Sequence, residues 1–138
     1  MSTLAYKPVK DAIVAILQTV GSIKIVYPKE EKELADFPAA CVSAKEHNAE
    51  LHDTTANLKT YQHFVRLYFR TDEKNDKDYE DVLESVADDV IAALEHDITL
   101  GGVCDWSIPT SGIWKNVVKE TEVRLLEIIV TSRARVVR

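Results

Sequence analysis

The chain has 138 residues, 46% hydrophobic and 29% charged, which is enough for one domain with its own core and too apolar for disorder. A formal net charge of −6 gives no general electrostatic drive toward nucleic acid. No apolar run approaches the roughly 20 residues a bilayer needs, and no basic leader precedes an apolar segment, so a soluble protein without a signal peptide, made in a reducing cytoplasm, is expected.

The first predicted helix spans Ala5 to Val20, with Val9, Ile13, Ile16, Leu17 and Val20 on one face at helical spacing. Pro8 suits its first turn, where a missing N–H costs nothing, and Gly21 is a natural stop. A short strand, Ile23–Tyr27, leads into a charged stretch, Pro28–Asp36. Phe37–Ala44 (FPAACVSA) reads as a second strand with Pro38 at its start or at an edge, since proline cannot donate to a ladder.

Lys45–Lys59 (KEHNAELHDTTANLK) is the polar gap of the chain. It is long for a loop in a compact domain, which suggests a functional segment such as a hairpin arm or flap. Thr60–Arg70 (TYQHFVRLYFR) is the clearest strand. Val65, Leu67 and Phe69 alternate toward the core, whereas Phe64, Arg66, Tyr68 and Arg70 point the other way, a mixture of aromatic and cationic groups that suits a subunit contact.

A second helix is expected from Lys77 to Glu95, with Tyr79, Val82, Leu83, Val86, Val90, Ala93 and Leu94 as its apolar stripe and Asn75 or Asp76 as N-cap. Thr99–Gly112 reads as a turn-rich connection in which Gly101 and Gly102 can take positive φ. A strand near Ile113–Val118 and a long final strand, Glu120–Val137, complete the order α, β, β, β, α, β, β. Without regular βαβ alternation, this order predicts an α+β domain: a mostly antiparallel or mixed sheet of about five strands with two main helices on one face.

Candidate chemistry is sparse. Glu46, His47, Glu50, His52 and Asp53 crowd the polar gap, but the five-residue step between the histidines fits neither a helical i, i+4 pair nor a zinc-finger spacing. The cluster therefore reads as a solvated polar loop. His63 falls in the core-facing set and reads as a hydrogen-bonded structural histidine. His96, at the end of the second helix, is accounted for by the helix dipole. Cys41 and Cys104 form neither a disulfide framework nor a metal motif and read as inert buried thiols. No nucleophile elbow, phosphate loop or dinucleotide fingerprint is present. No metal and no cofactor is expected.

Charge distribution is more informative. Asp72–Asp97 holds eleven acidic residues and two lysines, whereas Ile113–Arg138 holds six Lys/Arg and three acidic residues. Asp81, Glu84, Asp88 and Glu95 follow helical spacing on the solvent side, where like charges cost roughly 0.2–0.5 kcal/mol per pair. This stripe is either a solvated face or one that meets a basic neighbour or repels DNA. Trp106 and Trp114 lie nine residues apart or fewer in a Gly/Pro-rich segment, as core plugs or as aromatic anchors at an interface.

The helix–strand start, FPAA entering the second strand, the polar flap, TYQHFVRLYFR, the acidic helix, DITLGGVCDW and the long final strand together resemble the tail-terminator (tail-completion) proteins of long-tailed bacteriophages. The resemblance covers nearly the whole chain and rests on arrangement and short motifs, TLGG before a Trp-bearing segment being the most specific. It implies a structural virion protein, not an enzyme. Such a subunit forms a hexameric ring at the head-proximal end of the tail, contacts the tail tube protein and the head–tail connector, and lets genomic DNA pass without specific binding. The expected contacts are the 45–59 arm (Glu46, His47, Glu50, His52, Asp53), the Trp106–Val117 segment, and Arg66, Tyr68 and Arg70. Alternatives are a neck or head-closure protein or another tail-tube-associated protein, such as a tube-like subunit of a tail-derived machine, a small ligand-binding module and, more distantly, a small hydrolase or metal-dependent enzyme.

Overall fold

The structure, a computed structural model, describes residues 4–70, 77–119 and 121–137. The elements are α1 (Tyr6–Gln18), β1 (Ile25–Tyr27), β2 (Ala39–Leu51), β3 (Ala56–Arg70), α2 (Lys77–His96), β4 (Trp106–Lys119) and β5 (Thr121–Val137). The strands form one five-stranded sheet in the order β1-β2-β3-β5-β4. β1 pairs with β2 in parallel and every other neighbour is antiparallel. The domain is thus α+β. Among the described residues, no helix is long and apolar enough to cross a membrane.

Both helices bury their apolar stripes on the same face of the sheet. Val9, Ile13 and Leu17 of α1 and Leu83, Val86, Val90 and Leu94 of α2 share a core with Val65, Leu67 and Phe69 of β3 and Leu126, Ile128 and Val130 of β5. Each such side chain contributes about 1.5–3 kcal/mol by leaving water. α1 packs over β1 and β2, and α2 over β4. Val82, expected in the stripe of α2, is 55% exposed, because it sits at the stripe's border rather than its centre. The N-cap candidates Asn75 and Asp76 lie outside the described residues, as does the Tyr79 side chain.

The opposite sheet face is covered over part of its length. The connection between β1 and β2 lays Leu34 and Phe37 against Ala39, Cys41, Tyr68, Val123 and Leu125, making a second small core. This corrects the expectation for Tyr68. It is 2% exposed and packed within the chain, not presented for a subunit contact.

Two segments read as irregular are strand. β2 continues through 45–51, paired to β3 as far as Leu51↔Asn57, and only residues 52–55 turn the hairpin. Past a bulge at Ala44/Glu46 the side chains of β2 are exposed on both faces, so the apolar alternation that marks a strand is missing. Residues 106–112 likewise belong to β4, which starts at Trp106 and kinks at Pro109/Ser111. Proline is tolerated there because β4 is an edge strand. The turn before it carries positive φ at Leu100, Gly101 and Gly102, of 51°, 69° and 95°.

Candidate interface surfaces

The hairpin tip is organised by Asp53. Its Oδ1 accepts hydrogen bonds from the Thr55 N–H (2.7 Å), the Thr55 hydroxyl (2.8 Å) and the Ala56 N–H (2.8 Å), and its Oδ2 meets Arg135 of β5 at 3.2 Å. The backbone donor of Thr55, above all, holds this carboxyl well below the usual carboxylate range. Asp53 is therefore a turn-forming residue first.

The hairpin root is tied to α1. The Tyr6 hydroxyl and His47 Nδ1 are 2.7 Å apart, and the His47 ring stacks on Tyr61 at 5.1 Å. One turn of sheet below, His63 is fully buried and its Nε2–H donates to the Tyr6 carbonyl at 3.1 Å. That bond places a proton on Nε2, and Nδ1 has no partner among the described residues. Burial, with Lys10 nearby, pushes the His63 pKa down despite the Tyr6 bond.

Strand alternation divides the loop cluster between surfaces. Glu46 and Glu50 pair with Gln62 and Leu58, His47 with Tyr61, and His52 and Asp53 lie at the turn. Among the described residues, no group of three or more His, Cys, Asp or Glu is placed to hold a metal ion.

Arg66 and Arg70 behave differently from each other. Arg66 is 21% exposed in its side chain and bonds Glu127 at 2.9 Å and Glu30 at 3.4 Å, while its guanidinium lies 4.2 Å over the Phe64 ring. The Tyr68 hydroxyl donates to Glu30 at 2.7 Å. Burial works against ionisation of Glu127, but hydrogen bonds from Arg66 and Lys115 outweigh it and lower its pKa. Arg66 thus helps hold the 28–37 segment to the sheet, through a contact within the subunit. Arg70 is exposed and stands 5.2 Å from the Phe37 ring. Neither Glu30 nor Glu127 stands out in the sequence, because their roles depend on partners 36 and 61 residues away.

The tryptophans also separate. Trp114 is half-buried, packs against the main core beside Phe69 (5.9 Å) and lies under Arg124 (5.3 Å). Trp106 opens β4, opposite Arg133, and is only partly covered. Asp81, Glu84, Asp88 and Glu95 are all exposed on α2.

Both lateral edges of the sheet are long. β1 covers only Ala39–Cys41 of β2, so on the side away from β3 Val42–Leu51 has no strand beside it among the described residues. At the far edge, among the described residues, Trp106–Lys119 pairs on one side only, with Ile113 52% and Val118 76% exposed. An unpaired strand edge is a row of backbone donors and acceptors ready for another chain. Beside β2 lies an open surface hollow with a volume of about 330 Å³.

Searches of protein-family models and of curated proteins find no match to this chain.

Proposed function

We propose that this protein is a structural subunit that assembles head to tail into a closed, hexameric ring, and that the ring caps a bacteriophage tail tube, ends its growth and joins it to the head-side connector. The observation that supports ring formation most is the pair of open edges at opposite ends of one sheet. β2 and β4 run in opposite directions, since three successive antiparallel pairings, β2 with β3, β3 with β5 and β5 with β4, separate them. A copy placed beside another by rotation therefore sets β4 against the next β2 in antiparallel fashion, which continues the pattern that runs from β2 to β4 within the subunit. Closure of the ring removes both edges, which otherwise invite open-ended aggregation. The tail assignment rests on the resemblance of arrangement and motifs; its mechanism is steric, one ring face matching the last tube ring and the other refusing a further tube subunit.

Electron microscopy and mass determination of the protein, alone and mixed with tail tubes, test this. Rings at one tube end only are the expected result. A protein that stays monomeric and ignores tubes overturns the proposal and favours a neck protein or a ligand-binding module.

A further inference from the structure

The two flanks that the ring brings together carry opposite charge, through side chains that lie far apart in the sequence. On α2, Ala93 and His96 line an open hollow with Ala15 and Ile16 of α1 and with Thr19 just beyond it, so that side of α2 faces α1. Ile91 faces the other way, over Pro109–Gly112 of β4. Glu84, Asp88 and Glu95 stand seven and three residues before Ile91 and four after it, which places them on the Ile91 stripe of the helix. The acidic stripe therefore looks out over the open β4 edge.

At the opposite flank, Lys7 and Lys10 of α1 and Lys29 surround a groove floored by Tyr6, Pro28 and Val42–Ala44. Val42–Ala44 is where the open edge of β2 begins. Lys7 and Lys29 have side chains 79% and 74% exposed and, among the described residues, pair with Asp11 (3.0 Å) and Glu31 (3.5 Å). Exposed pairs of this kind are worth little and can exchange partners. Glu30 also lines the groove, but Arg66 and Tyr68 engage its carboxylate.

We infer that the lysine-rimmed groove beside β2 receives the acidic stripe of α2 from a second copy of this chain. The charge pattern selects the assembly: joining two copies through the same flank sets acid against acid or lysine against lysine, whereas joining unlike flanks pairs opposite charges. A heterologous interface is favoured over a two-fold dimer. This rests on the ring reading and names the surfaces that make it.

Charge reversal tests it by sedimentation velocity over a concentration series. Lys7→Glu with Lys10→Glu makes both flanks acidic; Glu84→Lys with Asp88→Lys makes both basic. Lys7, Glu84 and Asp88 are exposed and Lys10 is partly so, and circular dichroism checks that each variant folds. Each variant alone should associate about tenfold or more weakly than the unaltered chain, and an equimolar mixture should assemble again in alternation. Raising salt to 1 M, where the screening length is about 3 Å, should weaken the native assembly. Variants that assemble as well as the unaltered chain, or a mixture no better than its parts, overturn the charge contact and leave the ring reading standing. An unaltered chain that stays monomeric at every concentration, as does the mixture, and that forms no ring on added tail tubes overturns both.

Discussion

Tyr6 and His47, 41 residues apart, meet through a 2.7 Å hydrogen bond that joins the first turn of α1 to the hairpin. Tyr6 packs edge-on against both His47 and Tyr61, so its ring and hydroxyl together brace the outer half of β2. Tyr6→Phe keeps the ring and the backbone carbonyl that His63 uses. It should cost about 0.5–1 kcal/mol and speed amide exchange in residues 45–51 more than in the core strands, read by hydrogen–deuterium exchange.

His63 sets a pH dependence whose sign follows from its burial. Its folded pKa lies below the unfolded value of about 6.5, so the unfolded chain binds the proton more readily. Stability is full above the unfolded value and falls as pH drops from there toward the folded pKa, with a limiting slope of about 1.4 kcal/mol per pH unit. Urea midpoints between pH 8 and about 5 should show this decline, and His63→Gln should remove that share of it.

Arg66 and Glu127 are partly buried partners, so removing one leaves the other poorly solvated. Glu127→Ala should cost about 1–3 kcal/mol, whereas Lys115→Ala, which removes a contact to the same carboxylate from a far more exposed side chain, should cost under about 0.5 kcal/mol. Chemical denaturation of the two variants, with their double mutant, measures the difference.

Both thiols should be slow to alkylate in the folded protein. Cys41 and Cys104 are buried, and burial, with Asp105 and Asp97 nearby, pushes the Cys104 thiol up to about 11. Mass spectrometry after iodoacetamide treatment at neutral pH should show little labelling until urea is added, then rapid labelling of both.

Periodicity by itself determined the two helices, the inward set Val65, Leu67 and Phe69, and the α+β class, because burial against one shared core imposes a repeat of 3.6 or 2 on the residues that meet it. The exposed acidic stripe was legible for the same reason. Where that core does not reach, the pattern vanishes. Residues 45–51 are a strand held by pairing with β3 while their side chains face water, and residues 106–112 are an edge strand whose Pro109 and Gly112 read as a turn. Only the tertiary structure decided which exposed groups are free to meet another molecule. The 28–37 segment folds over the sheet, burying Tyr68 and engaging Arg66, although alternation alone points both outward. Folding likewise gathers Lys7, Lys10 and Lys29 from two separate segments at one flank and turns the acidic stripe toward the other. Charges that interact through space leave no mark in local sequence order.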